Sequence, residues 1–155
     1  MKPDNANSKA EYAGKDRKRV VLAGGCFDLI HYGHIAFLKQ AKALGTYLVV
    51  LLESDENVRR MKGDNRPIHS QKQRREMLAS LSFVDSVIEL PPMRSDGEYF
   101  AVVKNVSPRV IAITEGDPIE DKKKKQADAV GADFVVVPKI RTPSTSQLAK
   151  LLGLE

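Results

Sequence analysis

Residues 20–45 read VVLAGGCFDLIHYGHIAFLKQAKALG, and this stretch decides the fold. An apolar, valine-rich run of strand length gives way to two glycines, an aspartate and two histidines three positions apart, His31 and His34. Apolar residues then recur at helical spacing. Gly24 and Gly25 follow the apolar run, where missing side chains let a backbone turn sharply and approach a ligand closely. A helix starting near Tyr32 or Gly33 offers free N–H groups and the positive end of its dipole to an anion, with both imidazoles beside it. An isolated histidine on an apolar helix face is as a rule a satisfied core residue. Two of the chain's three histidines in one such loop point instead to a polyphosphate.

Working outward, RVVLAG (19–24), YLVVLLE (47–53), VDSVIEL (84–90), RVIAIT (109–114) and DFVVVPK (133–139) read as strands, apolar at nearly every position and so buried on both faces. Between them HIAFLKQAKAL, KQRREMLASL, GEYFAVVKNV and EDKKKKQADAV carry helical spacing, and TSQLAKLLG ends the pattern. Strand and helix alternate throughout. That order predicts an α/β fold, a Rossmann-like, doubly wound five-stranded parallel sheet with helices on both faces, because parallel strands need crossovers. Ligands of such sheets lie beyond the carboxyl ends of the strands.

The 155 residues suffice for one core, which buries roughly two thirds of the unfolded surface. Residues 1–18 are polar and without periodicity, as expected of a flexible tail, leaving 19–155 as the domain. Twenty-five basic against twenty acidic side chains suggest anionic partners. A single cysteine, Cys26, excludes an intramolecular disulfide framework and a cysteine-based zinc cluster, and fits a reducing cytoplasm. No apolar run approaches the ~20 residues of a membrane span, so a cytoplasmic protein without a membrane partner is expected. Lys122–Lys125 reads as a solvated helix face and comes with no RNA-binding aromatic motif, so nucleic acid is not the favoured partner.

GGCFDLIHYGH resembles the nucleotidyltransferase superfamily marked by H-x-G-H after the first strand, here His31-Tyr32-Gly33-His34. MKGDNRPIHSQKQR (61–74) is similar to that family's K-G-x-x-R-P segment followed by E-x-R, FVDSVIEL to its third strand, and RTPSTSQL to its closing S-T-[ST] helix start. The resemblance spans residues 19–152. It is nearest to the small cytidylyltransferases acting on glycerol 3-phosphate or phosphoethanolamine and to the adenylyltransferase domain acting on heptose 1-phosphate.

The resemblance implies direct attack of an acceptor phosphate on the α-phosphorus of a nucleoside triphosphate, with pyrophosphate leaving. Mg²⁺ enters mainly through the triphosphate, and the enzyme is a homodimer. Charge growing on phosphoryl oxygens calls for positioned cations and donors rather than a nucleophile. His31, His34 and Lys62 are the implied catalytic residues. Gly25, Cys26, Phe27, Arg74, Gly116, Asp117, Arg141, Ser144, Thr145 and Ser146 are the implied nucleotide ligands. Asp28, Asp55 and Arg66 would meet the acceptor or brace the loop.

Lys62 and Arg66 are read as part of a mobile cationic loop. Arg74 is read as opening a helix that packs through Met77, Leu78 and Leu81, its guanidinium free to fork phosphate oxygens. Cys26 reads as a small buried filler, and Asp55 serves equally well as a helix cap. The sequence departs from the family at Lys72, where an acidic residue is usual, at Glu115, and in RTPSTS, which lacks a glycine and is two residues short.

A CTP-dependent transfer to a phosphorylated alcohol is the reading favoured by GCFDLIHYGH. KGDNRP leans towards ATP with a sugar 1-phosphate or FMN. A nucleotide-binding regulator without turnover and a basic nucleic-acid-binding module are the readings of other classes.

Overall fold

The computed structural model describes residues 19–154, so the tail expected over residues 1–18 lies outside it. Its strands are β1 (Val20–Gly25), β2 (Tyr47–Leu52), β3 (Ser86–Glu89), β4 (Val110–Thr114) and β5 (Asp133–Val137). They form one parallel sheet in the order β3-β2-β1-β4-β5. Helices α1 (Tyr32–Ala43), α2 (Asp55–Lys62), α3 (Gln71–Ala79), α4 (Asp96–Val106) and α5 (Glu120–Val130) connect them, and α6 (Thr145–Leu151) follows β5.

Alternation along each strand divides the core in two, because successive side chains leave a strand on opposite faces. Val21 and Ala23 of β1 with Leu48, Val50 and Leu52 of β2 pack under Phe37, Leu38 and Ala41 of α1 and Leu78 of α3. Val20 and Leu22 with Val49 and Leu51 pack on the other face, under Val103 and Val106 of α4 and Ala127 of α5. Burial on both faces holds for β1, β2 and β4. The edge strands β3 and β5 keep exposed positions, since each has a neighbour on one side only.

Three local readings are corrected. First, Gly24 and Gly25 are not a turn: β1 continues through them in register with Leu51 and Leu52. The chain turns later, at Phe27 (φ 47°) and Leu29 (φ 51°), two side-chain-bearing residues in the left-handed region. Gly25 matters sterically, because a Cβ there would lie 3.1 Å from the Phe27 ring. Second, Lys62 does not lie in a loop but ends the helix α2 (Asp55–Lys62). Only Asn57 and Val58 are buried there, so no apolar stripe announces α2, but the Ser54 cap, an acidic first turn and a basic last turn suit its dipole. Third, Met77 is 38% exposed while Leu78, about 100° further round α3, is buried.

Strand order reverses between β1 and β4, so the crevice beyond their carboxyl ends is the expected ligand position. At the opposite end, Gly45 lets the α1–β2 connection pass under β1: a Cβ there would lie 2.3 Å from the Arg19 carbonyl oxygen and 2.7 Å from Val21 Cγ2. Gly45→Ala is therefore expected to destabilise the domain by about 1–3 kcal/mol, the usual cost of overpacking. Urea unfolding measures it, and a wild-type midpoint would refute so tight a crossing.

Candidate active site

The first loop delivers both imidazoles to the start of α1 in one arrangement. His31 is the N-cap of α1, and its Nδ1 accepts the Gly33 N–H at 3.1 Å. His34 Nδ1 accepts the His31 N–H at 3.3 Å. With each Nδ1 committed as an acceptor, the neutral ring carries its proton on Nε2. The rings stack with centroids 3.9 Å apart, and Phe27 meets His34 edge-on at 5.3 Å. Burial, reinforced by the neighbouring His31 and the Lys62 ammonium, holds the His34 pKa down to about 4. Burial also lowers that of His31. Both rings are thus neutral donors near pH 7. The helix end is not left open to an anion as the sequence suggested, because His31 itself takes the Gly33 N–H.

Asp28, between the two left-handed residues, is 1% exposed. Its carboxylate accepts from Arg66 Nε at 2.8 Å, the Ile68 N–H at 2.8 Å and the His69 N–H at 3.1 Å. Burial alone would raise its pKa, but these donors hold the carboxyl below its usual value. Asp28 therefore braces the loop. Arg66 is 2% exposed on the same carboxylate, so it is not the mobile phosphate-covering cation that the sequence suggested.

Arg74 departs furthest from its expected role. It lies in the fourth position of α3 rather than opening it, is fully buried, and is not free. Its guanidinium donates to the carbonyls of His69 (3.0 Å), Cys26 (2.5 Å) and Glu53 (2.9 Å) and to Asp55 Oδ1 (2.7 Å). Asp55 is thereby the partner of Arg74 at the start of α2, where Ser54 rather than Asp55 is the cap. Cys26 contributes its carbonyl to this knot, and burial raises its thiol pKa. Phe27, 5% exposed, supports His34 from within the core instead of offering a face to a base.

Lys62 ends α2 as an exposed cation whose charge is felt at His34 and Cys26, which sets it over the first loop. From the other side, Thr142 reaches α1: a Cβ on Gly33 would lie 2.8 Å from Thr142 Cγ2. This contact brings the 141–146 segment to the histidines. Ser144 caps α6, its Oγ accepting the Gln147 N–H at 3.2 Å, with Thr145 and Ser146 in the first turn and Arg141 exposed before it. Beyond β4, Gly116 (φ 81°) and Asp117 form a turn in which Asp117 accepts the Ile119 N–H and pairs with Lys123 at 2.7 Å. Lys122 pairs with Asp96, so half of the Lys122–Lys125 run is engaged in ion pairs.

The sequence profile of the cytidylyltransferase-like family matches residues 22–149. The chain belongs to the cytidylyltransferase-like family. It is 39% identical over 118 residues to the bifunctional protein HldE of Campylobacter fetus, covering 76% of this chain and 23% of that protein. With HldE of Helicobacter pylori strain P12 it shares 55% identity over 73 residues, 47% of this chain and 16% of that one. This cytidylyltransferase-like chain therefore spans less than a quarter of the curated relatives it matches. Among solved structures it is similar to a lipopolysaccharide core biosynthesis protein from Thermoplasma volcanium, with TM-score 0.66 and 27% identity, covering 81% of this chain and 98% of that one. Pantoate-beta-alanine ligase from Francisella tularensis, at TM-score 0.58 and 15% identity over 88% of this chain and 67% of that one, shares the fold.

Two groups beside the site escaped the reading of the sequence. Glu53, just after β2, accepts the Tyr99 hydroxyl at 2.9 and 3.0 Å and Asn57 Nδ2 at 3.1 Å; burial and that carboxylate push Tyr99 up to about 12. The third histidine, His69, adjoins Asp28. No short motif signals either, although Glu53 is a carboxylate at the carboxyl end of an apolar strand.

Arg74→Lys is expected to cost about 3–5 kcal/mol, because an ammonium cannot serve three carbonyls and a carboxylate in these directions. Urea denaturation decides it: a weakened nucleotide KM at unchanged stability would return Arg74 to the phosphates. A second expectation concerns pH. His34 titrates near 4 when folded against 6.5 ordinarily, so the unfolded chain takes up the proton first as pH falls. The stability this ring contributes is complete above pH 6.5 and is lost down to about pH 4, with His31 adding in the same direction. Urea midpoints measured across that window should fall towards acid, and His34→Gln should flatten the slope.

Proposed function

We propose that this chain transfers AMP from ATP to the phosphate of a heptose-type sugar 1-phosphate, releasing pyrophosphate. The observation that carries the transfer chemistry is the stacked pair of neutral imidazoles, with both ring protons on Nε2 at the start of α1. The HldE relatives favour adenylyl over the cytidylyl transfer that the sequence first suggested.

In this reading an acceptor phosphate oxygen attacks the α-phosphorus, a new P–O bond forms, and the bond to the β-phosphate oxygen breaks with its electron pair leaving on pyrophosphate. No covalent enzyme intermediate is needed. The two Nε2–H groups donate to α-phosphate oxygens as charge builds there, and the Lys62 ammonium adds the positive charge that neutral rings lack. Arg141 and the first turn of α6 meet the β- and γ-phosphates, and Gly116 and Asp117 line the base side. Magnesium would be held by the triphosphate oxygens and would supply charge neutralisation there, since imidazole and ammonium groups match phosphate oxygens rather than a hard cation. Arg74, Asp28, Asp55 and Arg66 hold the frame.

Pyrophosphate release is the direct test. ATP with heptose 1-phosphate should turn over, and turnover confined to CTP with glycerol 3-phosphate would overturn the assignment. His34→Ala should lower kcat by on the order of 10²–10³ while the protein still unfolds cooperatively, because one preorganised donor is lost. Near wild-type turnover would remove His34 from the site.

A further inference from the structure

His69 closes the turn that wraps around Asp28, its own N–H bonding that carboxylate and its carbonyl accepting from Arg74. Its Nδ1 is the one side-chain nitrogen or oxygen among the described residues that is sealed from solvent without a hydrogen-bond partner. That nitrogen lies 4.0 Å from Asp28 Oδ1, whereas the side chain as a whole is 36% exposed. The ring is therefore closed on the Nδ1 edge, against a carboxylate, and open on the other. The charged groups around it are Asp28, the Arg66 bound to Asp28, and the Arg74 bound to its carbonyl.

With the proton on Nε2, a lone pair faces the buried carboxylate; with it on Nδ1, the ring meets Asp28 but its open edge offers an acceptor to water and no donor to an anion. The doubly protonated ring answers both, Nδ1–H directed at Asp28 and Nε2–H outward, and an anion on the open edge completes it. A carboxylate behind an imidazole fixes the ring's orientation. The position is also informative. Thr142, which follows β5 and precedes α6, meets the start of α1 at Gly33, while the turn carrying His69, between β2 and α3, is bound to the first loop through Asp28.

We propose that His69 binds the phosphate of the acceptor, oriented by Asp28. The assignment rests on the transfer reading above. It gives the buried Asp28 a second use and accounts for the orphaned Nδ1.

With three histidines in the chain, imidazole ¹H–¹⁵N spectra resolve each ring. The full-length protein is first saturated with α,β-methylene-ATP, which cannot react, and inorganic phosphate is then titrated in. The analogue should shift the ring resonances of His31 and His34; phosphate should shift those of His69. A His69 that ignores phosphate overturns the proposal, whatever the other rings do. Rings at 31 and 34 that ignore the analogue tell instead against the nucleotide site, with His69 still judged by its own response. In kinetics, His69→Asn keeps the backbone N–H to Asp28 and should raise KM for heptose 1-phosphate about tenfold or more, the loss of one charge-assisted bond, with KM for ATP little changed. Equal rises in both constants, or a fall in kcat alone, would mean a merely structural residue.

Discussion

Arg74 carries its charge into a place with no water, and the carboxyl end of the sheet is organised around that fact. Moving a guanidinium out of water costs several kcal/mol unless its donors are met. Here four acceptors meet them: the carbonyls of Cys26, Glu53 and His69, and the Asp55 carboxylate. Those residues follow β1, follow β2, precede α3 and open α2 respectively, so one side chain ties together three stretches of chain, at Cys26, at 53–55 and at His69. Asp28 repeats the device with opposite sign, holding Arg66 and two backbone N–H groups. The bonds offset the cost of left-handed backbone at Phe27 and Leu29, of order 1 kcal/mol per residue. A loop pinned in this way presents His31 and His34 without having to be ordered by a ligand.

Neutral rings suit this site better than charged ones. Burial is the main reason His34 titrates so low, and repulsion from the His31 ring stacked at 3.9 Å and from the Lys62 ammonium adds to it. The bonds to Nδ1 also do more than fix tautomers. Each ring accepts an N–H from the start of α1 and offers an N–H at its other end, so the polarity of the helix terminus is passed outward through the imidazole to Nε2. In the proposed reaction the helix would act on phosphate through its caps, and the cation that balances the charge would come from another element, α2.

Much of this was legible in the sequence, and what was not has physical causes. The central strands β1, β2 and β4 declare themselves because a strand covered on both faces must be apolar almost throughout, and the valine- and isoleucine-rich runs of the edge strands mark the other two. α1 is marked by its stripe and its histidines. α2 has only Asn57 and Val58 to bury, so hydrophobic periodicity is silent and only the Ser54 cap and the charge order betray it. The roles of Arg66 and Arg74 were misjudged for a different reason. A long basic side chain reads the same whether it ends in solvent or in the core, and what turns these two inward lies elsewhere in the sequence: Asp28 is 38 residues from Arg66, and Cys26 is 48 from Arg74. The base is harder still, since in the proposed reading HYGH and the turn at Gly116 would position phosphate and backbone without reading an amino group.

Gly33 shows how one residue type can be right for a reason the sequence does not display. In H-x-G-H the glycine invites an explanation from backbone freedom, yet Gly33 is an ordinary helical residue and is not among those with positive φ. What it lacks is a Cβ, which would lie 2.8 Å from Thr142 Cγ2 and 2.9 Å from His31 Cε1. The shortened RTPSTS segment has no glycine of its own with which to bend, and Pro143 restricts it further. Close approach is therefore made possible on the α1 side of the contact: the bare surface of Gly33 lets Thr142 settle against the helix and leaves the His31 ring its place. The start of α1 and the 141–146 segment, which in the proposed reaction would both meet the triphosphate, are thus joined through a methyl group and a missing one.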